Sequence, residues 1–193
     1  MILLCAVAVS LVAILVYYLK VVISERSFTV DSTLTRGVVF DFLKTPINLV
    51  RIHPKIRKVF DIGTESSYTS FLIEEDMGSL FGRKMFPMTL STYSDISNLT
   101  SSIELTSKSR VAEVVVTLAI SDCNNTLSLT EENKMVTPCP SSATINGRIT
   151  VKSIRVLNVI ISRYLVSVWD TTINTALDLL DQESKAYNHK KDS

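Results

Sequence analysis

The sequence predicts an α+β fold in which a curved antiparallel sheet wraps around one long C-terminal helix, with a transmembrane helix at the N-terminus. Three observations lead to this prediction. An apolar run opens the chain, strand-length segments rich in β-branched and aromatic residues fill its middle, and a helical repeat of apolar residues follows them. Because short turn sequences join the strand-length segments, we expect these strands to pair antiparallel.

Length and charge exclude several classes of protein. Behind the apolar run, roughly 165 residues remain, which is the size of one domain with its own core. The 20 basic and 19 acidic residues nearly cancel, so the sequence lacks the basic surface that binding to nucleic acid requires. The cysteines and histidines show no metal-ligand spacing, and we predict neither a metal site nor a cofactor. These residues are Cys5, Cys123, Cys139, His53 and His189.

Residues 1–24 form the predicted transmembrane helix. Lys20 is the one charged residue in this run, and the apolar stretch before it approaches the length that crosses the hydrocarbon core of a bilayer. Tyr17 and Tyr18 suit the membrane interface, where Lys20 can extend its ammonium group into water. A cleaved signal peptide is the alternative, and it fits less well because the run lacks a basic leader and a small-residue cleavage site.

The charges beside the run predict its orientation. The first basic residues, Lys20 and Arg26, follow the run, so the positive-inside rule places the domain in the cytosol. A lumenal or extracellular domain is the alternative, because the sequence contains two glycosylation sequons and two cysteines that could close a disulfide. The sequons begin at Asn98 and Asn124, and the cysteines are Cys123 and Cys139.

The first folded segments are a strand and two short helices. Apolar and polar residues alternate in Arg26–Thr35, which indicates a half-buried strand. The next segment, Val38–Pro54, contains two short apolar helices, because Thr45-Pro46 interrupts it and His53-Pro54 ends it. Helices this short need a larger apolar surface to cover.

Six further segments have the length and composition of strands. They are Ile56–Ile62, Ser67–Glu75, Arg83–Asp95, Leu99–Thr106, Arg110–Ser121 and Thr126–Val136. Apolar residues recur in them at alternate positions, as Phe71 and Ile73 do, so we expect one apolar sheet face. The segment Ser141–Val151 is either a short strand with a turn at Asn146-Gly147 or an irregular segment.

A long amphipathic helix and a polar tail end the chain. Apolar residues recur at spacings of three and four from Ile154 to Lys185, which predicts the helix. The predicted organisation is a transmembrane segment over residues 1–24, one domain over residues 26–185 and a polar tail over residues 186–193.

This order of elements is that of the helix-grip fold. Over about Arg26–Lys185 the chain resembles the superfamily of START, Bet v 1-like and polyketide cyclase-like (SRPBCC) lipid-transport domains. The residues that carry the resemblance lie in the two short helices and at the start of the next strand: Val39, Phe40, Asp41, Leu43, Thr45, Pro46, Asn48, Leu49, His53, Pro54, Ile56 and Val59. The resemblance implies a sheet that wraps the long helix and an apolar cavity between them, where family members hold lipids, sterols or other hydrophobic ligands.

The resemblance also implies which residues would line that cavity and face a lipid or another hydrophobic small molecule. They are Phe71, Phe86, Met88, Leu90, Leu118, Tyr164, Leu165, Val168 and Trp169. For any one of them, packing in the core is the simpler interpretation, because apolar residues at strand and helix periods usually pack. Together they have the apolar character of a ligand site.

A few polar and loop residues are further candidates. A histidine before proline at a helix end more often caps or packs than acts as a base, so His53 is a weak catalytic candidate. The run Glu74–Asp76 reads as a solvated strand end, and Gly78–Gly82 as a rim beside the cavity with Leu80 and Phe81 exposed. We expect Arg163 to face water.

These observations favour a membrane-anchored domain that binds or transfers a lipid or sterol. A cyclase- or hydrolase-like enzyme acting in the same cavity is the first alternative, in which His53 would work with a cavity carboxylate or tyrosine. The second alternative is a scaffold without a ligand. No catalytic residue is predicted, because no nucleophile motif accompanies His53.

Overall fold

The computed structural model describes residues 16–79, 82–95, 99–109, 112–122 and 142–191. The strands within these ranges are β1 (Val21–Ser32), β2 (Ile56–Thr64), β3 (Tyr68–Asp76), β4 (Arg83–Asp95), β5 (Thr100–Lys108), β6 (Ala112–Asp122) and β7 (Ala143–Ile154). The helices are α1 (Arg36–Leu43), a 3-10 turn (Pro46–Asn48), α2 (Leu49–Ile52) and α3 (Arg155–Lys191).

The seven strands that the structure describes form one antiparallel sheet in the order β1-β7-β6-β5-β4-β3-β2. Every neighbouring pair except β1 and β7 is consecutive among these strands, as short turns between strands require. The first strand pairs with the last, so β1 and β2 lie at opposite edges. The α+β prediction with a curved antiparallel sheet and a long C-terminal helix is therefore confirmed.

One face of the sheet is apolar and buried, as the alternation of residues predicts. Ile103 and Leu105 on β5 share this face with Leu118 and Ile120 on β6, and each of the four is at most 2% exposed. Successive side chains of a strand point to opposite faces, so the polar residues between them fall on the outer face. We call the buried side the inner face.

The two short helices cover part of the inner face. Pro46 sits at the first position of the 3-10 turn between them, where its missing N–H costs no hydrogen bond. The side-chain amide of Asn48 donates to the Phe42 carbonyl at 2.9 Å and holds the two pieces together. Their apolar residues, among them Val39 and Leu49, are buried in the common core. The predicted pair of short helices is confirmed.

Helix α3 packs across the inner face, and its backbone comes closest to β1 and β7. The side-chain amide of Asn158 donates to the Val151 carbonyl at 2.8 Å and to the Val22 carbonyl at 3.3 Å, which fastens the start of the helix to both strands. Near the middle of the helix, Trp169 and Ile173 are buried in the core. The helix continues to Lys191, so it enters the segment that we predicted as a polar tail.

The predicted transmembrane helix is wrong. Within the described ranges, no helix is both long and apolar enough to cross a membrane. Val21 begins strand β1, where the β-branched residues Val21 and Ile23 pair with Ile154 and Lys152 of β7, so the last residues of the predicted span belong to the sheet. Residues 1–15 of the span lie outside the described residues. The predicted cytosolic orientation of the domain depended on this helix and therefore loses its basis.

Two further predictions concern the segment before α3. Asn146-Gly147 is not a turn but the middle of β7, opposite Thr29 and Phe28 of β1. Phe28 lies so close over Gly147 that a β-carbon there would come within 2.1 Å of the ring, which explains a glycine inside a strand. The predicted strand Thr126–Val136, the asparagines of both sequons and the three cysteines lie outside the described residues.

Candidate functional site

The space between the inner face and α3 changes character along its length. At one end the apolar side chains are completely buried. At the other, where β3 ends and β4 and β6 begin, buried residues such as Ile73 and Val151 are joined by half-buried ones. Strand register places Phe86 and Val114 at this end. Met88 pairs with Ser107 and Ser107 pairs with Val114, so Val114 lies in the same row as Met88, and Phe86 lies two residues closer to the start of β4. We call this end the groove mouth, defined by Glu75, Phe86, Val114, Ile161, Tyr164 and Leu165.

Six of the nine predicted cavity residues are packed in the core. They are Phe71, Met88, Leu90, Leu118, Val168 and Trp169, all at most 9% exposed. The other three, Phe86, Tyr164 and Leu165, are half-buried and belong to the groove mouth. The structure thus separates the predicted set into packing residues and residues that remain within reach of solvent, and a ligand-binding role for any of them stays a prediction.

A carboxylate and a phenol face each other in the groove mouth. Glu75 lies on the inner side of β3, two residues beyond Ile73, and meets Tyr164 of α3. Burial raises the pKa of Glu75 above its ordinary value, while hydrogen bonding from the Tyr164 hydroxyl and the charge of Lys55 act in the opposite direction. Burial and the Glu75 charge raise the pKa of Tyr164 to about 12, so Tyr164 keeps its proton at neutral pH.

Half-buried apolar side chains occur on the same inner face and on the same side of α3 as this pair. Ile161 and Leu165 lie one turn apart on α3 beside Tyr164, and both pack against the core, as Phe86 and Val114 do from the sheet. The mouth therefore combines apolar walls with one carboxylate and one hydroxyl, which is the usual composition of a small-molecule site.

His53 lies outside the groove mouth, packed edge-on against Trp169 with ring centroids 5.8 Å apart. Its Nδ1 atom accepts backbone N–H bonds from Ile56 at 3.2 Å and from Lys55 at 3.3 Å, so the neutral ring carries its proton on Nε2. Burial lowers the pKa of His53 to about 4. A ring whose free nitrogen already caps a turn is poorly suited to take a proton from a substrate.

The neighbouring carboxylates have structural partners. Glu74, on the outer face, forms an ion pair with Arg83 at 3.1 Å. Asp76 accepts a hydrogen bond from the Gly78 N–H at 3.0 Å, which together with Arg57 lowers the pKa of Asp76. The predicted solvated strand end is therefore wrong for Glu75, which faces inward, and Glu74 on the outer face is largely covered and paired with Arg83. Alternation alone could have located Glu75, because it shares its parity with Phe71 and Ile73.

The described part of the chain has further surface features away from the groove mouth. Two open depressions, of about 320 and 380 Å³, lie at the ends of β1, β5, β6 and β7 and on the outer face of β1, β6 and β7. Among the residues that the structure describes, no group of three or more His, Cys, Asp or Glu side chains is placed to hold a metal ion. Arg163 is exposed, as expected, whereas Leu80 and Phe81 of the predicted rim lie outside the described residues.

Solved structures with the same architecture are found among proteins of very different sequence. The Zhui aromatase/cyclase from Streptomyces sp. R1128 matches with a TM-score of 0.56 at 10% identity, covering 84% of this chain and 96% of that one. Truncated norcoclaurine synthase from Thalictrum flavum matches with a TM-score of 0.54 at 10% identity, covering 83% and 95%. A START superfamily protein from Mycobacterium smegmatis matches with a TM-score of 0.56 at 10% identity, covering 82% and 97%.

The chain has the START/Bet v 1-like helix-grip fold. No protein-family model and no curated protein sequence matches it. At these identities the likeness extends to the fold alone, and the predicted resemblance to the SRPBCC superfamily is confirmed at that level.

Proposed function

We propose that this helix-grip domain binds a hydrophobic small molecule, such as a lipid or sterol, through the groove mouth. One observation carries the proposal: half-buried apolar side chains of the sheet and of α3, Phe86 and Leu165 among them, occur at the end of the inner face where Glu75 and Tyr164 meet. A closed core would continue the tight packing to that end, because exposing apolar surface to water costs about 25 cal/mol per Å². Two neighbours of this fold, an aromatase/cyclase and norcoclaurine synthase, are by their names enzymes of small organic molecules, which supports a small-molecule ligand for this chain.

The test uses the full chain and two tryptophan variants on the same helix. Leu165→Trp fills the groove mouth, whereas Ile160→Trp adds the same ring at a position that is 62% exposed. We expect wild type and Ile160→Trp to take up the uncharged dye Nile red with equal affinity, and Leu165→Trp to bind it at least tenfold more weakly. Solvent extraction of the purified protein followed by mass spectrometry identifies any apolar molecule that co-purifies.

The proposal fails if Leu165→Trp and Ile160→Trp bind Nile red alike and no apolar molecule co-purifies with the wild-type protein. Thermal unfolding of both variants is the control, since a loss of folding would lower dye binding for an unrelated reason.

A second function, a cyclase- or hydrolase-like activity in the same groove, is favoured by the two polar groups that converge in the mouth. In this reaction the Glu75 carboxylate would take a proton from a bound molecule, and the Tyr164 hydroxyl, which donates to Glu75, would hold the carboxylate in position. We expect the co-purified molecule to change in mass on incubation with wild type but not with Glu75→Gln, both at protein concentrations that saturate binding of that molecule. An unchanged mass with wild type rejects this second function and leaves the first intact.

A further inference from the structure

Among the described residues that define the groove mouth, Glu75 carries the carboxylate, and it lies on the inner face of the sheet. The side chain shares the inner face with Phe71 and Ile73, and its cross-strand neighbour on β4, Lys84, is exposed at the rim. A carboxylate accepts about four hydrogen bonds, and the Tyr164 hydroxyl supplies one donor. Glu75 therefore retains acceptor capacity on the side that faces the groove.

The surroundings compensate the charge of Glu75 only in part. Burial is the largest influence on its pKa and raises it, which outweighs the opposing effects of Tyr164 and of Lys55. A bound donor that reaches the carboxylate restores the hydrogen bonds lost on burial, whereas a second carboxylate at the same place adds repulsion.

We infer that the groove mouth selects apolar molecules that end in a hydrogen-bond donor, a hydroxyl or a protonated amine, and rejects those that end in a carboxylate. The inference rests on the proposed function, because it assigns the head group of the same ligand. Glu75 accepts the donor, Tyr164 holds Glu75 in place, and Phe86, Ile161 and Leu165 contact the apolar body.

The experiment compares three probes of equal chain length, decan-1-ol, decylamine and decanoate, titrated against the full chain below their micellar concentrations. We expect decan-1-ol and decylamine to bind about tenfold or more tightly than decanoate, as a charge-assisted hydrogen bond allows. Preference for decylamine over decan-1-ol identifies a cationic head group as the natural one, and equal affinities identify a hydroxyl as sufficient. Either result supports the inference.

Substitutions at Glu75 and at neighbouring residues test whether the preference depends on Glu75 itself. Glu75→Gln should remove the preference for decylamine and raise the affinity for decanoate, and Tyr164→Phe should weaken the preference. Glu74→Gln makes the same change one residue away on the outer face, so we expect no effect on any probe. If wild type binds decanoate as tightly as decylamine, or if Glu74→Gln acts like Glu75→Gln, the inference is wrong and apolar binding stands. If no probe binds to wild type, the proposed function fails as well.

Discussion

The two ends of the groove are built from the same kinds of residue but differ in packing. At the packed end, Leu118 and Ile145 are at most 1% exposed and touch the short helices and α3. At the groove mouth, Phe86 and Leu165 remain half-buried beside a carboxylate. The packed end therefore carries the stability of the domain, whereas the mouth retains apolar surface that a bound molecule can cover. Each prediction below changes one end and measures the consequence.

The largest effect is expected at the packed end. Leu118→Ala deletes a side chain that is 1% exposed, so unfolding free energy should fall by about 2–5 kcal/mol. Leu165→Ala makes the same deletion at the mouth and should cost about 1 kcal/mol or less, because part of the side chain is already in water and alanine favours a helix. Urea denaturation measures both. Equal losses would show that the mouth is packed as tightly as the rest of the core.

The second effect is a pH dependence from His53, which is buried beside the start of β2 and against Trp169. Its pKa is about 4 in the folded chain and 6.5 ordinarily, so the unfolded chain binds a proton first as pH falls. The contribution of His53 to stability is complete above pH 6.5 and is lost as pH falls toward 4, by about 3 kcal/mol in total.

His53→Gln isolates this contribution, since the carboxylates are common to both proteins. We expect the difference in unfolding free energy between wild type and His53→Gln to change by about 3 kcal/mol between pH 7 and pH 4. A difference that does not vary with pH would place His53 in contact with water.

The smallest predicted effect is a gain in stability from a substitution at the groove mouth. Because the folded-state pKa of Glu75 is raised, the ionised carboxylate favours the unfolded chain, and Glu75→Gln should stabilise the protein at pH 7 by up to about 1 kcal/mol. The gain should fade as pH falls toward 4.5, where the carboxylate also becomes neutral in the unfolded chain. Glu74→Gln, measured by the same denaturation, should gain nothing because it breaks the ion pair with Arg83. A loss of stability in Glu75→Gln would contradict an under-compensated charge.

Periodicity and turn residues predict most of the fold but little of the site. The alternation through β3 to β6 and the proline breaks at Pro46 and Pro54 each reflect a local rule, and the structure follows them. The start of β1 could not be predicted in this way, because Val21 and Ile23 are apolar both in a membrane helix and in a strand. Only their pairing with β7, which is distant in sequence, decides between the two.

The site depended on similar long-range information. Apolar residues such as Leu118 and Leu165 look alike in the sequence, and the position of α3 over the sheet decides which of them stays half-buried. Glu75 was assigned to solvent because it stands between Glu74 and Asp76, although its parity with Ile73 places it inside. The acidic residues on either side of Glu75 suggested a solvent-exposed position, whereas the alternation along the strand indicates the inner face correctly.

The two hydrogen bonds of Asn158 have a mechanical consequence for the groove. One amide group uses both of its N–H donors on carbonyls of two adjacent strands, Val22 and Val151, so the start of α3 cannot slide along the sheet without leaving buried polar groups unpaired. The buried Trp169 and Ile173 hold the same helix farther along its length. Ile161, Tyr164 and Leu165 therefore lie between two fixed points of α3, and the shape of the mouth is set before any molecule enters it.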